Sequence, residues 1–206
     1  MLVGHVHTRD FGFDGENALH CLLANRQEAA ALEMIDLAYE HFDASQLQEL
    51  YWAQASGSFF HVLPMMYYGG TPLGYAVAFS MKAPIAALLQ QARRSDKMRA
   101  IVDLNNPKLA CGFTGFRPLH VAVANGLKSM YTWLANLPEL PELHTFRADR
   151  QGRTQLCKKL EYSDLTPMQL AAKLGDHEMF KFVLREKAEL MWRWGPVCQY
   201  LSLIHI

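Results

Sequence analysis

Nine histidines and four cysteines are the residues of this 206-residue chain best suited to hold a metal or attack a substrate, and their spacing argues for neither. His5 and His7 make a weak two-ligand pair on an extended start, short of a zinc ligand set. Cys21, Cys111, Cys157 and Cys198 lie far apart with no Cys-x-x-Cys, so no zinc site or disulfide framework is indicated, and a reducing cytosolic setting is the default. Cys21 and Cys157 fall in helix-forming contexts and read as core thiols. His20 and His120 each follow a leucine early in a helix-forming run, where an imidazole serves the local turn through hydrogen bonds. The phosphate-loop, dinucleotide, nucleophile-elbow and zinc-protease signatures are absent. The sequence therefore assigns no catalytic residue, no metal ligand and no cofactor, and reads as a non-enzyme.

Charge narrows the field further. Twenty Lys and Arg balance twenty Asp and Glu, with no basic stripe of the kind that nucleic acid requires. The clusters Arg93, Arg94, Lys97, Arg99 and Arg147, Arg150, Arg153, Lys158, Lys159 are interleaved with Asp96, Asp103, Asp149 and Glu161, as on a solvated face. The start, Met1 to His7, lacks the basic region and long apolar core of a signal peptide. The most apolar window, Pro72 to Leu89, is interrupted by Lys82 and Pro84 and does not read as membrane-spanning.

The elements that carry these side chains recur. Thr166-Pro167-Met168-Gln169-Leu170-Ala171-Ala172-Lys173-Leu174-Gly175 places a capping hydroxyl before a proline suited to the first helical position, then an apolar stripe, then a glycine stop. Met179, Phe180, Val183 and Leu184 give a second helix its own stripe. Three earlier openings share the pattern: Asn17-Ala18-Leu19-His20, Thr71-Pro72-Leu73-Gly74 and Arg117-Pro118-Leu119-His120. Each is followed by an apolar segment: Ala29 to Phe42 with Leu32, Ile35, Leu37 and Ala38; the run from Pro84; and Met130, Tyr131, Trp133 and Leu134. A helix pair of this size cannot bury both stripes alone, so the pattern predicts an all-α ankyrin-repeat solenoid of about four helix pairs.

The openings recur after 54, 46 and 49 residues, against about 33 in a plain array, so each repeat carries an insertion expected as a long finger loop. The first, Asp43 to Tyr68, holds Tyr51, Trp52, Phe59, Phe60, Tyr67 and Tyr68, which fit either a contact surface or finger-to-finger packing. Gly152 to Cys157 imitates a repeat opening, yet only 12 residues separate Thr154 from Thr166, too few for a helix pair. It is finger sequence or the trace of a lost repeat.

Three stretches resemble the cytosolic ankyrin domain of vanilloid-type transient receptor potential (TRPV-like) cation channels. Tyr67-Tyr68-Gly69-Gly70-Thr71-Pro72-Leu73 is similar to a repeat opening of that family. Asp164 to Gly175 is similar to another, with Asp164 in place of the usual glycine. Trp192-Arg193-Trp194-Gly195-Pro196-Val197 looks like its Trp-x-Tyr-Gly-Pro-Val just after the last repeat, where residue chemistry alone reads a solenoid cap. The resemblance implies a calcium-permeable channel's regulatory and assembly domain, a fragment without the pore, touching other subunits of a homotetramer through Trp192, Trp194, Gly195 and Pro196. It implies cytosolic protein regulators as well, a place at the cytosolic face of a membrane, and contact with the membrane only through a carboxyl-terminal part outside this chain. Some members bind ATP or calmodulin there; no residue of this chain is assigned to either. The family normally has six repeats and four are readable here. The expected organisation is a frayed start over 1–12, repeats over 13–190 and the beginning of a coupling segment over 191–200. Residues 201–206, which coincide with a common adaptor translation, form a non-native tail left outside the fold. An uncapped amino end predicts concentration-dependent association. The alternative is a soluble ankyrin adaptor that binds another protein by its fingers and concave surface.

Overall fold

The computed structural model describes residues 15–56, 70–104, 106–138, 148, 162, 164–194 and 196–202, with side chains described except at 187–194 and 198–202. Ten α-helices, one short 3-10 helix and one β-hairpin lie among these residues. Four of the helices are short and open with the recurring motif: α1 (Ala18–Ala24), α4 (Pro72–Ala78), α7 (Pro118–Ala124) and α9 (Pro167–Lys173). Each is followed by a partner, respectively α2 (Glu28–His41), α5 (Lys82–Arg94), α8 (Lys128–Ala135) and α10 (His177–Lys187). Each short helix packs against its own partner, and α1, α4, α7 and α9 follow one another in contact, giving a row of four pairs.

The four pairs turn in the same way. Arg26, Ser80, Gly126 and Gly175 hold left-handed backbones with φ of 56°, 59°, 64° and 71°. At every turn that residue's N–H donates to the carbonyl three back, and the next N–H donates to the carbonyl five back, over 2.8–3.1 Å. These bonds satisfy the helix's last carbonyls, which is why the reversal needs a left-handed residue. Glycine adopts it without cost. Arg26 and Ser80 are strained there, and Arg26 recovers part of the cost by laying its guanidinium over the Phe79 ring, 5.8 Å from its centroid.

The insertions are not plain loops. The first opens with α3 (Ala44–Trp52), started by a capping box in which Asp43 and Gln46 exchange hydrogen bonds. The second contains α6 (Asp96–Val102) and a 3-10 turn (Pro107–Leu109). α3 packs on α6, on α4 and on the 3-10 turn, forming a second layer over the row. Tyr51 is buried in this layer, and Trp52 donates from Nε1 to the Ile101 carbonyl over 3.0 Å, so Trp52 joins finger to finger. Phe59, Phe60, Tyr67 and Tyr68 lie outside the described residues, as do Gly152 to Cys157 and residues 1–12. One core runs through the pairs and the finger layer, from Leu19 and Ile35 through Leu47, Ile85, Ile101 and Tyr131 to Val183.

The chain is mostly helical, consistent with the all-α expectation, and ends its described part in a hairpin in which β1 (Ala188–Trp194) pairs antiparallel with β2 (Val197–Ser202) from Trp194↔Val197 to Ala188↔Ser202. Finer expectations are corrected. The hairpin crosses the boundary expected at residue 190 and takes Leu201 and Ser202, assigned above to a tail, into its ladder as partners of Glu189 and Ala188. Tryptophans before a Gly-Pro step and Val-Cys-Gln-Tyr-Leu after it favour a strand–turn–strand over a loose cap. Cys21 is also not a core thiol: α1 buries Leu19, His20 and Leu23, and the cysteine falls on its exposed side. Among the described residues no helix is long and apolar enough to cross a membrane. The apolar window from Pro72 to Leu89 is instead split between α4 and α5.

Candidate functional site

The residues that define the repeat openings converge on the junctions between successive pairs. Asn17 caps α1: its side-chain oxygen accepts the His20 N–H at 3.2 Å, and its amide donates to the Leu50 carbonyl at 2.8 Å. Thr71 caps α4 by accepting from the Gly74 N–H at 3.3 Å, and its hydroxyl donates to the Leu109 carbonyl at 3.1 Å. Thr166 and Gln169 form a reciprocal capping box on α9. Arg117 stands in the cap position of α7 without a side-chain capping bond. Pro72, Pro118 and Pro167 each occupy the first turn of their helix and are buried, where a missing N–H leaves nothing unsatisfied.

The histidines tie one pair to the next. His20, third in α1, places Nε2 3.1 Å from the carbonyl of Gly70, the residue just before the next cap. His120, third in α7, places Nε2 2.8 Å from the carbonyl of Leu165, again the residue before the next cap. A carbonyl only accepts, so both neutral rings carry their proton on Nε2. Each of these carbonyls accepts a second bond from a finger residue: Ala55 N–H to Gly70 and Ala148 N–H to Leu165. Three segments therefore close on one oxygen: a short helix, the next cap and the finger between them. At the middle junction Gly74 stands where the histidine would be, the Cys111 N–H closes the finger on the Phe116 carbonyl, and Thr71 reaches Leu109 instead.

Burial sets the electrostatics. Both rings lose their hydration, which holds them neutral with values lowered to about 4, against the opposing pull of the carbonyls they serve. For His120 the positive charge of Arg117 adds to the lowering. Burial also raises the phenols of Tyr51 and Tyr131, assisted by Asp36 and Glu186. These four groups are enclosed by the packing and serve as frame. Among the described residues no cluster of three or more His, Cys, Asp or Glu is placed to hold a metal.

Arg93, Arg94, Lys97 and Arg99 are exposed, with Arg99 paired to Asp96 at 2.9 Å and Lys97 donating to the Phe42 carbonyl, as a solvated face requires. Arg147, Arg150, Arg153, Lys158 and Lys159 lie outside the described residues. A shallow, mostly apolar depression opens on the last pair, between Ala171, Ala172, Gly175, Asp176, His177 and Phe180. Trp192 and Trp194 lie in β1 and Pro196 is exposed at the hairpin turn, while Gly195 lies outside the described residues. The reading of the sequence missed the double use of the Gly70 and Leu165 carbonyls. The signal was present as a histidine in the third helical position of two openings. No protein-family model matches the chain, and no curated protein matches it.

Proposed function

We propose that the chain is a non-catalytic ankyrin-repeat scaffold that serves as the cytosolic regulatory and assembly domain of a TRPV-like, calcium-permeable cation channel. The observation that carries the ankyrin part is the recurrence of one left-handed turn in all four helix pairs, with a side-chain cap on three of them and a finger N–H closing on the residue before the next cap position at all three junctions. Packed fingers on one side and a solvated outer face favour recognition of proteins by shape. The channel part rests on Trp192-Arg193-Trp194-Gly195-Pro196-Val197 at the end of the row, where β1 leaves α10. In this reading the row hands motion of the domain, or contact with a neighbouring subunit of a homotetramer, to the hairpin. Soluble regulators engage the fingers and the concave side.

A free-standing ankyrin adaptor is the second reading, favoured by β2 continuing through Ser202 beyond the stretch that resembles the channels. Sequencing the transcript past the codon for Tyr200 separates the two. The channel reading expects downstream apolar spans of about 20 residues. A stop codon without such spans overturns it and leaves the adaptor.

A further inference from the structure

The partner helices are in register. Each begins two residues after its left-handed turn residue, so their positions can be compared by counting from the first residue. In two of them the tenth residue reaches back to the preceding pair. Gln91 of α5 donates to the Asp36 carboxylate at 3.2 Å, and Glu186 of α10 accepts from the Thr132 hydroxyl at 3.3 Å. The tenth residue of α2 is Leu37, which is 45% exposed. Forward contacts obey the same count. Tyr131, fourth in α8, meets Phe182 edge to face, Thr132 is fifth, and Ile35 and Asp36, which receive Gln91, are eighth and ninth in α2. The corresponding residues of α10 are Phe180, Lys181, Leu184 and Arg185. Leu184 is 38% exposed and Phe180 lines the depression.

Among the described residues both ends of the row thus present, in the register of an internal junction, one half of such a junction. Their charges are opposite. Apart from Asp36, which faces Gln91, α2 carries Glu28, Glu33 and Glu40 with no Lys or Arg, whereas the forward side of α10 carries Arg185 and Lys181, the latter 4.0 Å from Glu178. We propose that copies of this chain associate end to end, the α1/α2 face of one copy closing on the α9/α10 face of the next. Leu37 then meets Leu184, and Glu33 and Glu40 lie beside Lys181 and Arg185. The contact is head to tail, so it leaves a free face at each end and adds copies without closing. Pairing of two α9/α10 faces is disfavoured because it sets Lys181 and Arg185 against their own copies. The inference rests on the register of the helix pairs and is independent of the channel reading.

Sedimentation velocity of the 206-residue chain tests it. The weight-average sedimentation coefficient is expected to rise with concentration and to rise less in high salt. Leu37→Asp and Leu184→Asp each spoil one face at an exposed position, so each alone is expected to remain monomeric with its helical circular dichroism intact. Mixed one to one, they retain one good face of each kind and are expected to form a dimer and nothing larger. A concentration-independent monomer of the unmodified chain overturns the proposal. So does a Leu37→Asp variant that still self-associates, or a mixture that does not. Should either aspartate variant lose its fold, the exposed-charge variants Glu33→Lys and Lys181→Glu take its place. Each alone is expected to weaken association by roughly twofold to fivefold, and their mixture to regain it. Unchanged association in both single variants overturns the head-to-tail arrangement.

Discussion

The two histidine junctions carry the same sequence signal and differ in how well their surroundings complete it. His20 has both ring nitrogens placed: Nε2 on Gly70, and Nδ1 accepting the Asn17 N–H at 3.3 Å, with the ring edge-on to Tyr75 at 5.0 Å. His120 makes the shorter bond, 2.8 Å to Leu165, yet its Nδ1 is buried with no hydrogen-bond partner, and its ring stacks on Phe116. The caps differ as well: Asn17 closes a capping box with His20, its backbone N–H donating to the ring, whereas Arg117 makes no side-chain capping bond on the helix of His120. A repeat motif therefore fixes where a bond goes without fixing what it contributes, because the orphaned nitrogen pays its desolvation and gets nothing back.

The largest way to test the pair is acid. Each ring is lowered to about 4 in the folded chain, against about 6.5 when unfolded. The unfolded chain therefore binds protons first. Stability is fully present above about pH 6.5 and falls as pH drops toward 4, by roughly 2 kcal/mol per histidine at pH 5. Urea midpoints between pH 7.5 and 4.5 measure it. Replacing either histidine is expected to remove about half of the loss, and equal slopes in both variants and the unmodified chain would sink the account.

Truncation at neutral pH separates the two sites. His20→Ala breaks the junction bond, strips the Asn17 N–H of its acceptor and opens space beside Tyr75, an expected cost of about 3 kcal/mol. His120→Ala breaks one bond but also removes the unpartnered nitrogen, and about 2 kcal/mol is expected. In neither case is the facing carbonyl orphaned, since Ala55 and Ala148 still donate to Gly70 and Leu165. Chemical denaturation at pH 7.5 reads the difference, and a larger loss at His120 would reverse the comparison.

How much of this was legible follows from the range of each signal. Caps, prolines and turn glycines act within four residues, so Asn17, Pro72, Pro118, Thr166, Pro167 and Gly175 stood out in the sequence and lie where their chemistry places them. Asp164 looked like a departure from a glycine pattern. It holds φ of 64°, the left-handed backbone of Gly15 and Gly115, which aspartate tolerates better than most residues. Apolar stripes were legible as helices but not as to which edge stays open. Leu37, Leu174 and Leu184 fit the periodicity and are 45%, 41% and 38% exposed, because no further pair covers them among the described residues. The finger layer was least legible, since α3 and α6 hold each other through contacts far apart in sequence.

The turns give a smaller comparison of the same form. Ser80 and Arg26 both occupy a left-handed position that Gly126 and Gly175 fill freely, with open space around the two glycines. Ser80→Gly is expected to stabilise by about 1 kcal/mol through relief of strain. Arg26→Gly relieves the same strain and loses the stacking on Phe79, so its net change is expected near zero. Thermal midpoints of the two variants decide whether the aromatic contact compensates the arginine for its backbone.

The middle junction offers an effect no larger than that of Ser80→Gly, and it isolates backbone from bond. Gly74 lies in α4, and a Cβ there meets only the Thr71 hydroxyl oxygen, at an ordinary 3.7 Å. Alanine cannot supply the imidazole found at the other two junctions, so Gly74→Ala changes helix propensity alone and is expected to stabilise by about 0.5–1 kcal/mol. A gain in the urea midpoint at unchanged slope means that the Thr71–Leu109 bond carries this junction without needing the space. A loss means that the added methyl displaces the hydroxyl from Leu109. The glycine is then what lets threonine do here the work that histidine does on either side.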